Sequence, residues 1–410
     1  IRLGLLLYDS LGAGHRTLAD SRAVDLRSHP SGAPLKSTYA RGFVYSDGWV
    51  QDARLVVLNA MDARRLGADV RVRTRCVSAR VEDGVWLAQL LGPDGQVRDC
   101  RAKALVNVCG PWAGRFLGDV LDRDRHPRVR LVKGSHIVLP RLFEHDHAYI
   151  FQQPDRRIVF AIPFEDVYTL VGTTDLDYAG DPADVMIDAG EIRYLCDAVN
   201  RYFRMPVRPA DVVWSYSGVR PLLDEDGSAS AVSRDYRVTL DHAQGAPLLS
   251  IFGGKITTYR RLAEEAVDQL AEVLQPMRPA WTADGAPLPG GDFADAERLL
   301  AAWSQRWPWL PSALARRWLR HYGTCTETLL GEARTVADLG EHFGADLYQI
   351  ELDYLIRAEW ARSAEDVLWR RTKLGLRLSS GERDRVQAYM ATMVPPRKNT
   401  TARPAEARQA

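Results

Sequence analysis

The sequence predicts an α/β protein, a body with a mixed β-sheet followed by an all-helical C-terminal domain. Three observations predict it. Alternating or short continuous apolar segments dominate from Val70 to Phe252. A Pro- and Gly-rich stretch at 275–292 interrupts the pattern. Beyond Phe293 the apolar spacing is helical throughout. The 410 residues divide into two or three domains at about 150 residues each. The expected organisation is a sheet-bearing body over 1–275, a linker over 276–292, a helical domain over 293–395 and a flexible tail over 396–410.

In chain order, Asp52 to Leu66 reads as an amphipathic helix with Asp52 as its N-cap and Gly67 as its stop. Val70–Val81, Val85–Leu91 and Val97–Ala102 form an antiparallel meander through turns at Asp83-Gly84 and at 92–95. The apolar run Ala104–Val108, ended by Gly110-Pro111-Trp112, reads as a buried strand. Further strands are expected at Arg130–Leu139, Ala148–Gln152, Ile158–Ile162, Tyr168–Gly172, Val212–Ser217, Tyr236–Leu240 and Leu248–Phe252, with a helix at Asp188–Phe203. A Gly pair then opens a helix over Lys255–Leu274. The C-terminal helices are expected at Ala294–Trp307, Pro311–His321, Cys325–Gly331, Leu347–Glu359 and Ala364–Leu374.

Composition narrows the functional classes. Hydrophobic residues are 46% and charged ones 26%, which is a soluble globular balance. Lys and Arg number 54 against 53 Asp and Glu, so no global field recruits nucleic acid or anionic lipid. The five cysteines are scattered without metal-ligand spacing, pointing to a reducing cytoplasm and no structural zinc. The apolar run Leu3–Tyr8 is far shorter than the roughly 20 residues of a spanning helix. The chain starts with Ile inside an apolar stretch, and a missing native beginning is the expectation.

Several segments carry chemistry. Gly12-Ala13-Gly14-His15-Arg16-Thr17 imitates a dinucleotide loop, but Thr17 stands at the third glycine position and no strand-borne acid follows about 20 residues on. Gly253-Gly254-Lys255-Ile256-Thr257 puts unpaired backbone N–H groups and a lysine at a helix start, where anionic atoms are attracted. An ordinary strand-to-helix turn with a surface lysine is an equal reading. Tyr216-Ser217-Gly218-Val219-Arg220-Pro221 sets an arginine at a strand end, its planar fork matched to phosphate or carboxylate, or else simply salt-bridged. His136, in Lys133-Gly134-Ser135-His136, is either a general base or a satisfied strand histidine. Gly172-Thr173-Thr174-Asp175 offers hydroxyls to a substrate oxygen or forms a turn, and Gly110 lets a flat ring approach the backbone.

Taken together, Lys133–His136, Gly172–Asp175, Tyr216–Pro221, Arg234-Asp235-Tyr236 and Gly253–Arg260 resemble the FAD-dependent glycerol-3-phosphate dehydrogenases of bacterial respiration. Gly42–Asp47 with Trp49, Asn107–Trp112, Glu359-Trp360 and Trp369-Arg370-Arg371-Thr372 extend the match over nearly the whole chain. The departure is the N-terminal βαβ unit with its FAD fingerprint, a segment of roughly 30 residues expected to be missing here. The resemblance implies the FAD-dependent oxidoreductase fold of glutathione reductase and the amino-acid oxidases.

It also implies oxidation of sn-glycerol 3-phosphate to dihydroxyacetone phosphate, with FAD as hydride acceptor. His136, Thr173, Arg220, Arg234 and Lys255 would line the substrate pocket, and Arg220 and Lys255 would bind the anion. His136 is the candidate base, and Arg220 is the rival means of stabilising the alkoxide. Gly110, Gly253, Gly254, Lys255, Ile256 and Thr257 would contact the flavin, whose reduced ring carries negative charge that a helix start and a lysine favour. Electrons would pass to membrane quinone from a protein peripheral on the inner face of the cytoplasmic membrane, or to oxygen in related oxidases. The family often forms homodimers. The competing class is a fragment that keeps an anion pocket without holding FAD.

Overall fold

The computed structural model describes residues 2–11, 19–123, 129–223, 235–242, 245–275 and 285–394. The Gly12–Thr17 segment, Arg234, residues 276–284 of the expected linker and the tail from 396 lie outside the described residues.

Helix α1 (Arg2–Leu11) precedes a small antiparallel pair, β1 (Arg22–Asp25) and β2 (Arg41–Val44). Helix α2 (Asp52–Arg65) leads into the meander β3 (Arg75–Glu82), β4 (Val85–Leu91) and β5 (Val97–Ala102), all antiparallel. Strand β6 (Leu105–Asn107) follows. Then comes β7 (Val129–Pro140), the longest strand, with β8 (Tyr149–Gln152), β9 (Ile158–Phe164), β10 (Tyr168–Gly172) and β11 (Leu176–Asp177). Helix α3 (Ala189–Tyr202) separates these from β12 (Trp214–Leu223), β13 (Tyr236–Asp241) and β14 (Leu248–Gly253).

Strand β7 organises the six-stranded sheet. On one edge it pairs β10 and β11 at different heights, on the other β12 along ten residues, and β9 and β8 continue beyond β10. Every one of these pairings is antiparallel. The parallel pairing belongs to the three-stranded sheet β13-β14-β6, between β14 and β6. Helix α3 forms because Ile192, Leu195, Cys196, Val199 and Phe203 recur at helical spacing, and this stripe packs on Ile137, Leu139, Val159 and Val171 of the sheet. A capping box closes its start. Asp188 accepts from the Gly190 and Glu191 amides, and Glu191 accepts from the Asp188 amide.

Helix α4 (Tyr259–Gln269) leads toward the C-terminal region. That region holds α5 (Ala296–Arg306), α6 (Ser312–Tyr322), α7 (Thr326–Leu330), the strand pair β15 (His342–Gly344) and β16 (Leu347–Tyr348), α8 (Gln349–Ala358), a wide helical turn at Asp366–Arg371 and α9 (Ser380–Met393). Its core is built on Trp303, Trp318, Tyr322, Phe343, Leu352 and Tyr354.

Several expectations differ from the structure, among them the helix expected over Lys255–Leu274, which opens as a tight turn at Ile256–Thr258 and breaks at Leu270. Asp52 occupies the first helical turn, and Gln51 is the N-cap without a side-chain bond, so the acid acts through the helix dipole rather than as a cap. The strand expected from Val70 begins at Arg75, after Arg73 takes a positive φ of 54°. The strand expected to stop at Ser217 runs on to Leu223, so Arg220 lies inside a strand and Pro221 makes no turn. Proline is tolerated there because β12 pairs only with β7 among the described strands, and an edge strand can spare the missing N–H. The C-terminal region also carries the β15–β16 pair and ends in α9, whose buried apolar residues are only Val386 and Met390. Its capping box, Ser379 with Glu382, was the legible signal for that helix.

Candidate active site

The site begins with the alternation of side chains along β7. Ile137 and Leu139 join the core under α3, while Val132, Gly134 and His136 face the other way. The register with β12 sets Tyr216 opposite His136, Gly218 opposite Gly134 and Arg220 opposite Val132, which places all of them on that second face.

Two of these side chains rest on glycine. The Arg220 guanidinium lies over Gly134, where a Cβ would stand 2.5 Å from both terminal nitrogens. From there Nη1 donates to Asp175 Oδ1 at 2.8 Å and Nη2 to Thr173 Oγ1 at 2.9 Å. The His136 ring lies against Gly172, where a Cβ would stand 2.1 Å from its Cδ2. Tyr216 stacks on the imidazole with centroids 4.9 Å apart and planes 6° from parallel. Any larger residue at 134 or 172 would displace a group central to the site.

Burial holds the His136 pKa down at about 4, the Arg220 charge adds to the effect, and the Asp52 carboxylate at the start of α2 opposes it. Near neutral pH the ring is therefore uncharged. Its Nδ1 is buried and makes no hydrogen bond among the described residues. Burial also pushes the Tyr216 phenol above its ordinary value, and again Asp52 is near.

Below this face lies a polar platform. Glu191 accepts from Ser135 Oγ at 2.8 Å and Thr174 Oγ1 at 2.7 Å, and pairs with Lys133 Nζ at 2.7 Å. Ser135 Oγ also meets Ser217 Oγ at 2.8 Å, and the Ser135 amide donates to Thr174 Oγ1 at 2.9 Å. Burial would lower the Lys133 pKa, but Glu191 and Asp188 outweigh it and keep the ammonium charged. Strands β7, β10 and β12 and helix α3 are thus tied together directly beneath His136 and Arg220.

The remaining expected site residues lie at neighbouring turns. Gly253 and Gly254 end β14 with φ of 76° and 108°, and Lys255 precedes the helical turn Ile256–Thr258, with Lys255, Ile256 and Thr257 exposed. A Cβ on Gly253 would be 3.6 Å from the Pro221 carbonyl, so this turn abuts the strand that carries Arg220. Gly110, with φ of 55°, opens the turn Gly110–Trp112, which packs against β12 and β14. The structure brings His136, Thr173 and Arg220 together and sets the Gly110 and Gly253–Thr257 turns beside them. Arg234 lies outside the described residues.

Sequence reasoning missed Glu191, Asp52 and Tyr216 as members of the site. Glu191 had a signal, since Asp188-x-x-Glu191 is a capping box whose acid is free to face inward. Asp52 had none, because its approach to His136 depends on where α2 packs.

Comparison with known proteins identifies the family. Residues 5–260 match the family model of FAD dependent oxidoreductases, and residues 281–402 match that of the C-terminal domain of alpha-glycerophosphate oxidase. The glycerol-3-phosphate dehydrogenase of Pseudomonas aeruginosa is 49% identical over 405 residues, covering 98% of this chain and 78% of that one. The D-erythritol 1-phosphate dehydrogenase of Brucella abortus is 46% identical over 387 residues, covering 93% and 77%. The crystal structure of the glycerol-3-phosphate dehydrogenase from Bacillus halodurans complexed with FAD superposes with a TM-score of 0.72 at 26% identity, over 88% of this chain and 76% of that one.

The residues present fit a flat, anionic-edged ring. Above Gly110 and Gly218 a Cβ would find nothing within 4 Å, and a helical turn with its N–H groups opens beside them at Ile256. The chain belongs to the FAD-dependent oxidoreductases and, among them, to the glycerol-3-phosphate dehydrogenase family.

Proposed function

We propose that this protein oxidises the C2 hydroxyl of sn-glycerol 3-phosphate to the ketone of dihydroxyacetone phosphate. Bound FAD supplies the acceptor for the hydride. The observation that carries the assignment of roles is the neutral His136 ring, its Nδ1 without a hydrogen bond among the described residues, set on one face with the Arg220 guanidinium. His136 accepts the hydroxyl proton. A base held near 4 is weak by itself, but a phosphate dianion arriving beside it raises its proton affinity toward the useful range.

Arg220 is already oriented by Thr173 and Asp175, so its fork is ready for the alkoxide or phosphate oxygen without reorganisation. The Thr173 hydroxyl, Arg234 and Lys255 complete substrate binding. Backbone groups at Gly110, Gly253, Gly254, Lys255, Ile256 and Thr257 hold the flavin. The electrons leave for membrane quinone, with the protein peripheral on the inner face of the cytoplasmic membrane. Among the described residues no helix is long and apolar enough to cross a membrane.

The relative that acts on D-erythritol 1-phosphate supports a second reading, a substrate one carbon longer. Anaerobic titration of the flavin-loaded protein separates the two. Bleaching of the flavin spectrum by glycerol 3-phosphate at lower concentration than by D-erythritol 1-phosphate is the expected result. The reverse order would move the assignment to the longer substrate, and no bleaching by either would sink it. His136→Asn is expected to lower kcat about a hundredfold and to remove the acid limb of its pH profile.

A further inference from the structure

Among the described residues, His136 is not oriented in the way a catalytic imidazole usually is. A base of this kind is ordinarily held by a hydrogen bond at its second ring nitrogen, yet Nδ1 here has no such bond among the described residues. What holds the ring is packing. Gly172 closes one side and Tyr216 stacks on the other at 4.9 Å. Tyr216 is backed by Trp214 at 5.1 Å, and Trp214 stacks at 4.8 Å and 22° on Trp369 of the helical region. Trp369 in turn lies against Gly375, where a Cβ would stand 2.6 Å from the indole, with the Arg383 guanidinium 5.6 Å from its ring. Four rings thus form one continuous chain of contacts, stacked at both ends and tilted by 34° between Tyr216 and Trp214, that ends on a glycine at both sides. Tyr216 is 37% exposed and the other three rings are part-buried, so the coupling runs through the ring contacts themselves, each ring bearing on the next.

The far end of this stack is anchored. Arg54 of α2 donates to the fully buried Glu359, and its guanidinium lies 5.0 Å from the centre of the Tyr322 ring. Arg371 pairs with the same carboxylate at 3.8 Å and donates to the Glu359 carbonyl at 2.9 Å. Arg371 closes the helical turn that carries Trp369. The buried ion cluster therefore locks that turn against α2, whose first residue, Asp52, acts on His136, Tyr216 and Lys373 alike.

We propose that Trp369 is a positioning residue for the candidate base, holding the His136 imidazole in its reactive orientation through Trp214 and Tyr216. This rests on the reading of His136 as the proton acceptor. The charged or titratable groups that act on that ring are Arg220 on β12 and Asp52 on α2, and Tyr216 on β12 stacks on it.

The test uses the full flavin-loaded chain, with rates counted per bound flavin. Trp369→Leu is expected to lower kcat about tenfold with KM changed less than about threefold, because orientation of the base and not substrate binding is lost. The acid limb of the pH profile should move up as water reaches the loosened imidazole. Trp369→Phe, which keeps a ring in the stack, should restore most of both. Gly375→Ala pushes the indole from behind and should reproduce the Leu phenotype in milder form.

Proton NMR of the His136 imidazole, without substrate, gives a readout apart from activity. Its titration midpoint should rise from about 4 toward the ordinary 6.5 in the Leu variant and stay low in the Phe variant. Unchanged per-flavin kcat, pH profile and imidazole titration in Trp369→Leu and Gly375→Ala would overturn the proposal. If Trp369→Leu does not fold, Gly375→Ala carries the same test, and an unchanged profile there is equally fatal. His136→Asn separates the two layers. No effect of His136→Asn removes the base reading itself, whereas a large effect beside silent Trp369 and Gly375 variants removes only the stack.

Discussion

Glu191 under the active-site face and Glu351 in the helical region are both buried carboxylates, and each is the third residue of its helix. Each accepts from several donors. Glu351 takes two bonds from Arg317, at 2.7 and 2.6 Å, one from Tyr322 at 2.6 Å and one from the Trp318 indole at 3.0 Å. Burial would raise its carboxyl, but Arg317 outweighs that and holds it below the usual range. That network lies within the helical core.

The network of Glu191 leads elsewhere. It passes through Ser135 to Ser217 on β12, next to strand positions whose side chains form the candidate active-site face. The same residue type at the same helical position therefore ties together a packed core in one region and the strands of the candidate site in the other. What differs is where the bonds lead, into the helical core from Glu351 and to the strand beside the candidate site from Glu191.

Substitutions can break this comparison, starting with the largest expected effect. Glu351→Gln leaves the Arg317 charge buried without a counterion and should cost about 3–5 kcal/mol in urea unfolding, with per-flavin kinetics unchanged. A loss of activity without a loss of stability would put Glu351 in the functional class. Arg220→Gln is the converse. It should lower kcat/KM by about 10²–10³, as removal of a preorganised anion donor does, with a smaller loss of stability than Glu351→Gln because the Arg220–Asp175 pair is partly solvated.

Acid stability sharpens the same contrast through His321, which is buried in the helical core with its pKa held near 4 by burial and then by the Arg317 charge. Above about pH 6.5 both folded and unfolded chains carry this ring neutral, so it contributes nothing to pH dependence. As pH falls below that value the unfolded chain takes up the proton first, and stability is lost progressively down to about 4. By about pH 5 the loss due to this group should reach roughly 2 kcal/mol, and His321→Gln should abolish that part of it in unfolding curves recorded at both pH values.

Gly134→Ala is the finest probe. The added methyl meets the mobile end of Arg220 and not backbone, so the fold should accommodate it. The guanidinium must move, however, and kcat/KM should fall about tenfold with little change in unfolding temperature. An unaltered kcat/KM would mean that the seat of Arg220 on Gly134 does not matter for catalysis.

Much of the framework was legible in the residues alone, because its causes are local. The period-2 alternation of β3, β4 and β5, the apolar spacing of α3 and the positive-φ glycines after β14 follow from neighbours a few residues apart. The motifs around His136, Gly172, Arg220 and Gly253 marked segments that the fold brings side by side. Legibility failed where a local cue misled, as when Pro221 suggested a turn inside what is an edge strand.

What tertiary structure alone decided is how those segments meet. That Arg220 lies over Gly134 follows from the register of β12 on β7, which no residue in either strand announces by itself. That Glu191 becomes the hub under the site depends on α3 packing across β7 and β10. That Trp369 reaches the stack on His136 depends on the buried Arg54–Glu359 pair joining α2 to the helical region. Periodicity and capping are encoded over a turn or two of chain, whereas ion pairs and ring stacks between distant segments exist only once packing has fixed the distances, and these are the contacts on which the proposed chemistry depends.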